Sequence, residues 1–227
     1  MKKILFGVFA GLILASVISI SSCSKDDTAP PVVSITGTVG PISLNSSAVS
    51  DPGATATDEE DGAITAITSD WSWGTNPNPN VAATYTIYYS ATDKAGNVGT
   101  ATRSVVVRND AYYLAGNYLV ADTCGTIPYS YAQTITASTS VNNRIHFNKF
   151  ADYTGNTGIY AEIAGTSITL PSQTANDIGT VVPPDDHQFN GTGSFITSPN
   201  IILHLNYTDY NITTTSTANC SAWFVKQ

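Results

Sequence analysis

The 227-residue chain reads as an all-β protein built from two successive strand-rich modules. Three observations carry that expectation. Charged residues make up only 11% of the chain, while Thr, Ser, Asn, Gly, Tyr and Val are plentiful, a balance that suits strands and tight turns. No apolar stripe of helical period follows residue 23. Strict alternation and turn signals recur instead, most clearly in "ATYTIYYSATD", where Tyr85, Ile87, Tyr89 and Ala91 fall on one side of a strand.

The N-terminus is of another kind. Lys2 and Lys3 precede an uncharged apolar run over residues 4–20, and small serines follow. This is the layout of an exported signal sequence over residues 1–22, and the run is marginal for a spanning helix, which needs ~20 apolar residues. Ile20-Ser21-Ser22-Cys23 resembles a lipobox. That resemblance implies cleavage before Cys23, a diacylglycerol on its thiol and acylation of the new N-terminus. Several acyl chains hold a protein durably on a bilayer. The alternative is a soluble secreted protein with an incidental cysteine. Ser24-Lys25-Asp26-Asp27 resembles the export tag of Bacteroidetes-type surface lipoproteins, which implies an outer-membrane anchor with the protein facing the exterior. Asp27-Thr28-Ala29 resembles the O-glycosylation motif of the same bacteria.

Residues 23–31 then read as the acylated cysteine and a flexible tether ending in Pro30-Pro31. Without residues 1–22 the net charge falls from −8 to −10, because Lys2 and Lys3 leave. A surface of that sign repels nucleic acid and anionic lipid.

Residues 32–108 form the first module. Short strands alternate with turns, and "DKAGN" at 93–97 places Gly96 and Asn97, both tolerant of positive φ, after the clearest strand. "APPVVSITG", "DPGATATDEEDGAIT" and "YTIYYSATDKAGNVGTATRSVVV" resemble the bacterial immunoglobulin-like repeat of some pesticidal crystal proteins, also common in Bacteroidetes lipoproteins. The resemblance implies an Ig-like β-sandwich without catalysis. "WSWGTNPNPNVAATY" departs from the family, whose members carry a shorter turn there.

Residues 112–227 form the second module. Strands are expected near 116–123, 130–138, 144–149, 159–164, 167–171, 188–197, 200–208 and 219–225. Asn142-Asn143, Ala164-Gly165 and Ser198-Pro199-Asn200 mark hairpins between them. Eight such strands make an antiparallel meander that closes as a barrel or flattens into a sandwich. Cys124 ends the first strand and Cys220 begins the last. In an oxidising compartment this pair invites a disulfide, closing a loop of about 100 residues worth ~4–5 kcal/mol on the chain-entropy model. Two buried free thiols are the alternative. "AGNYLVADTC", "GTSITLPSQT" and "ANCSAWF" resemble, more loosely, the C-terminal β-domains of lipoproteins associated with polysaccharide uptake.

Catalytic signals are thin. His146 and His204 stand in alternating strands without a ligand pair at useful spacing. Asp185-Asp186-His187 reads as a solvated turn whose neighbouring side chains diverge. "NGTGSF" lacks the Gly-x-Ser-x-Gly spacing of a nucleophile elbow. The expectation is a non-enzyme. Asp58, Glu60 and Asp61, in an acidic run closed by Gly62, are the candidate Ca²⁺ ligands, against a solvated acidic turn. Trp71 and Trp73, with Asn76 and Asn78 beside them, are the candidate ligand platform. An indole offers an apolar face for pyranose C–H groups, and the amides offer donors and acceptors. Burial in the sandwich core is the competing role. Tyr112, Tyr113, Tyr129 and Tyr131, near the module junction, offer a second aromatic surface, with rim and junction packing as the expected role of most.

The expected protein is therefore a surface-anchored, non-catalytic lipoprotein. Its expected role is accessory glycan binding in a polysaccharide-uptake system, with the first module as spacer. The alternative is an adhesion or assembly protein that recognises a protein partner. No nucleic-acid partner is expected.

Overall fold

The computed structural model describes residues 26–153, 158–176 and 186–227. The signal sequence 1–22, Cys23 and Asp185 lie outside the described residues.

Seven strands build the first module: β1 (Val32–Ile35), β2 (Ile42–Ser43), β3 (Ala54–Asp58), β4 (Gly62–Ile64), β5 (Ile67–Ser69), β6 (Ala83–Thr92) and β7 (Val98–Arg108). They form two sheets, β1-β3-β4 and β2-β7-β6-β5. All pairs are antiparallel except β2 with β7. The alternation expected of β6 holds: Ile87, Tyr89 and Ala91 are buried, and Thr84, Thr86 and Tyr88 face out. The apolar core is small, with Ile42, Leu44, Ile87, Tyr89, Val105 and Val107 at its centre.

A buried cation completes it. Arg103 on β7 donates to the Tyr89 hydroxyl at 3.1 Å and to the carbonyls of Thr36 (2.6 Å), Gly53 (3.0 Å) and Gly37 (3.2 Å). Tyr89 in turn donates to Asp51 at 2.7 Å. One guanidinium thus ties the four-stranded sheet to the chain that leads into and out of the other sheet. In the 93–97 turn, Asp93 accepts from the Asn97 amide at 2.7 Å, and of the two tolerant residues Gly96 takes the positive φ (+97°). The approach to the sandwich, expected as free tether, is packed by residue 31: Pro31 is buried, and its carbonyl lies where a Cβ on Gly99 would stand.

The second module is a closed barrel. Its strands are β8 (Gly116–Cys124), β9 (Ile127–Ala137), β10 (Arg144–Phe147), β11 (Tyr160–Ala164), β12 (Ser167–Asn176), β13 (Asp186–Ile196), β14 (Ile202–Asn211) and β15 (Ser216–Lys226). Each pairs with the next, and β15 returns to β8. The expected meander therefore closes fully, which removes every exposed edge. The seam is covalent: Cys124 and Cys220 are directly opposed across β8 and β15 and form a disulfide.

Phe147, Phe150, Phe189, Phe224, Tyr118 and Ile145 are buried in the interior. Phe150 comes from a 3₁₀ turn (Phe150–Asp152) between β10 and β11 and packs edge-on against Phe147, Phe189 and Tyr207. Pro171, which has no N–H to give a ladder, lies in the register shift of β12 between Leu170 and Gln173. There the Gln173 amide takes over, accepting from Tyr160 N and donating to Tyr160 O.

The modules meet in a polar joint. Asn109, buried between β7 and the barrel, donates through its amide to the carbonyls of Ser138, Val141 and Arg144. Its oxygen accepts from the amides of Ala111 and Asn143. Asn45 accepts from Asn142 N at 2.9 Å, Ala82 N donates to Thr139 O at 2.8 Å, and Asp110 is bonded to both Ser43 and Asn142. The β9–β10 loop is thus clasped by the sandwich on both sides.

Candidate binding face of the barrel

The outer face of β13, β14, β15 and β8 is organised in rungs, because directly paired residues of antiparallel strands point to the same side. One rung is aliphatic: Ile196, Ile202, Val225 and Leu119. The next holds Ser194, His204, Trp223 and Ala121, and the third Thr192, Asn206, Ser221 and Thr123. Beyond them stand Asn190, Thr208 and Asn219. The strands turn these residues outward because their alternates fill the core: Cys220, Ala222 and Phe224 on β15, and Leu203, Leu205 and Tyr207 on β14.

Trp223 is half exposed, at 50%. The His204 ring stacks on it with centroids 4.0 Å apart and planes 12° from parallel. His204 Nε2 is 3.0 Å from Ser221 Oγ. From Ser221 the face opens into a concavity of about 630 Å³ lined by Thr123, Asn190, Thr192, Asn206, Thr208 and Asn219, among others. Gly191 and Gly193 help to shape it: a Cβ at either would run into the backbone of β14, so only glycine lets β13 approach that closely. An exposed indole beside hydroxyls and carboxamides can stack an apolar ring face and bond its polar edge at once.

The platform expected at Trp71 and Trp73 is placed differently. Both indoles are partly buried and pack against the sandwich core. The segment is a turn bridged at Ser72 and Asn76 and not a strand, so the two-residue spacing does not set the rings side by side on an open face. Asn76 donates to Thr86 O, and Asn78 caps its own loop through the Asn80 amide.

The Ca²⁺ set is also redrawn. Asp58 converges with Asp27 and Asp93, their ligand oxygens within 4.8 Å of one another. Asp61 turns away to Lys94, bonded at 2.8 Å to its ammonium; that contact, followed by the Lys94 amide, holds its carboxyl below the usual range. Glu60 is exposed, and its carboxyl is raised, first by desolvation and then by Asp27, Glu59 and Asp58. Each converging aspartate already accepts from backbone amides of its own turn.

His187, expected on a solvated turn, is buried in β13. Alternation with Phe189 turns it inward, where Nδ1 meets Asp209 at 2.6 Å and Nε2 lies 3.4 Å from Asn211. Asp186 opens the same strand with its side chain on the opposite face. Further inside, Asp122 is 1% exposed and accepts from the hydroxyls of Tyr207 (2.8 Å) and Tyr131 (3.3 Å). Burial raises its carboxyl above the ordinary range, partly offset by those donors. Burial also pushes Tyr129 up to about 12 and Tyr131 and Tyr207 higher still, so the phenols stay protonated and donate. Of the four tyrosines read as rim and junction packing, Tyr131 is thus an interior residue. Tyr112 is exposed and lies under the Arg108 guanidinium at 3.9 Å.

Trp223, and not Trp71 or Trp73, is the half-exposed indole. Its signal is present in "NCSAWF": with Cys220 and Phe224 inward, the period of two turns Trp223 outward.

Fold and face together define a class: a two-module β protein, a sandwich joined to a closed barrel whose outer wall carries an uncharged aromatic and polar surface. Residues 46–107 match the sequence model of the Ig-like domain of bacterial surface proteins, in agreement with the resemblance drawn from the first module. A lipoprotein from Bacteroides thetaiotaomicron, BT2262, is similar at 13% identity with a TM-score of 0.31, over 87% of this chain and 100% of that one. No curated protein matches the chain.

Proposed function

We propose that this protein is an outer-membrane lipoprotein, anchored through Cys23 and facing the exterior, that binds glycan without catalysis as an accessory to polysaccharide uptake. The Ig-like sandwich is the spacer, and the barrel is the module that recognises ligand. The observation that carries this reading is Trp223, half exposed beside a neutral polar concavity. The match of residues 46–107 to a surface-protein domain supports the location.

The test uses full-length protein in detergent micelles on a glycan array and in affinity electrophoresis, beside Trp223→Ala. Saturable binding that the variant loses is the expected result. Binding that survives in Trp223→Ala but disappears in Trp71→Ala/Trp73→Ala returns the site to the sandwich. Labelling with radioactive palmitate, abolished in Cys23→Ala, tests the anchor.

A second reading, adhesion to a protein partner, is favoured by the aliphatic rung. Leu119 (54%) and Ile196 (53%) are exposed at its two ends, and a band of this kind suits an apolar partner surface. It predicts that Leu119→Ser/Ile196→Ser releases a captured partner while glycan binding is unchanged.

A further inference from the structure

Trp223 is half exposed, and among the described residues only the His204 ring stacks on it. The β14 side of the indole is covered by that stacked imidazole. On the β8 side the directly paired residue is Ala121, whose methyl group reaches too little to cover an indole. Diagonal neighbours on that strand are Leu119 and Thr123, within reach of a long side chain or a ligand but not directly opposite. The outer face therefore holds a slot: the free indole face as one wall, Ala121 as its floor, and Ser130 as the next residue across, paired to Ala121 from β9.

From this geometry we infer that the slot takes one pyranose ring of a neutral glycan, stacked on the β8-facing side of Trp223. The rest of the chain runs past Thr123 and Ser221 into the concavity. This rests on the glycan-binding reading and adds to it the ring position and the charge class of the ligand. Charge decides the class. Among the described residues, the rungs around the slot carry aliphatic side chains, hydroxyls, carboxamides and one imidazole, and no guanidinium or ammonium to pair a carboxylate or sulfate. A sulfated or uronic chain would shed its hydration without finding a counter-charge, against a protein of net charge −8, or −10 without residues 1–22. A neutral sugar asks only for an apolar face and hydroxyl partners.

The experiment compares full-length wild type, Trp223→Ala and Ala121→Leu in detergent. Probes are a neutral series (a β-glucan, an α-glucan, a mannan and a galactan) and polygalacturonate as the anionic control. Ala121 is exposed on the outer face, so a leucine there fills the slot without entering the core, and circular dichroism checks that each variant folds. Expected is binding to a neutral polysaccharide, weakened at least tenfold by each substitution, with polygalacturonate retained at least tenfold less. Binding lost in Trp223→Ala but kept in Ala121→Leu overturns the slot and leaves the glycan reading standing. Preference for polygalacturonate overturns the charge class alone. Failure of the wild type to bind any of the probes or any array glycan overturns both.

Discussion

The sandwich and the barrel solve one problem, a β-fold that must stay closed, by different means. The barrel is large enough to enclose a continuous aromatic interior and seals its seam with a disulfide. The sandwich has a thin apolar core, and a small domain buries a smaller fraction of its surface. Its two sheets are joined by Arg103, a buried cation whose donors go to three carbonyls and a tyrosine hydroxyl. The lesson is that the sandwich, where apolar area runs short, uses a buried cation to tie its sheets, while the barrel sets its own buried polar groups, Asp122 and His187, within an aromatic interior.

The largest effect is expected at the seam. Converting Cys124 and Cys220 to serine opens a covalent loop with a sequence separation of 96, worth ~4–5 kcal/mol on the chain-entropy model. Calorimetry should show the barrel transition fall while the sandwich transition stays. A shift of both would mean that the modules unfold as one unit.

Next comes the Arg103 tie between the sheets. Arg103→Met removes a buried cation and its bonds to Tyr89 and to the carbonyls of Thr36, Gly37 and Gly53, a loss of about 3 kcal/mol read in denaturant titration of the sandwich. A loss below about 1 kcal/mol would make the apolar core, and not the cation, the main tie. Asn109→Ala strips the joint of a side chain that serves five backbone groups. About 2 kcal/mol is expected, with a wider distribution of shapes in small-angle scattering. An unchanged scattering profile would assign the joint to Asn45 and Asp110.

The smallest and subtlest effect is at Asp122. Burial raises its carboxyl in the folded state, so folding favours the protonated form. Its contribution is best at low pH, and stability falls as pH rises from the unfolded value to the folded one. Asp122→Asn should flatten that slope and unfold later than wild type at neutral pH. A steeper slope in the variant would mean that Asp122 is held ionised by its tyrosines.

The barrel was largely legible in the sequence, since its strands carry their own period of two and their own turn residues. Gly165 at positive φ and the Ser198-Pro199-Asn200 loop are local signals that the fold obeys. The short strands of the sandwich were not individually legible, because two to five residues carry too little pattern. Apart from the Cys124–Cys220 pair, site residues were not legible where the decisive neighbour is distant. Trp71 and Trp73 were read as a pair, but their surroundings come from the sandwich core. Asp58 finds Asp27 and Asp93 and not its own neighbours. His187 is explained by Asp209 on the next strand. Trp223 declares its outward direction locally, yet its partner His204 and the alanine that leaves it open come from two other strands.

The position of Pro31 has a mechanical consequence. It lies against Gly99 at the start of β7, and the same strand ends at Arg108, one residue before the joint. Tension applied between the chain before Pro31 and the barrel would enter the sandwich at Val32 on β1 and leave it at Arg108 on β7, strands of different sheets. Such a pull loads the packing between the two sheets, and Arg103, which reaches from β7 to the Thr36 and Gly37 carbonyls just after β1, stands across that path. A pull on the two ends of the sandwich is thus opposed by one guanidinium as well as by the apolar core.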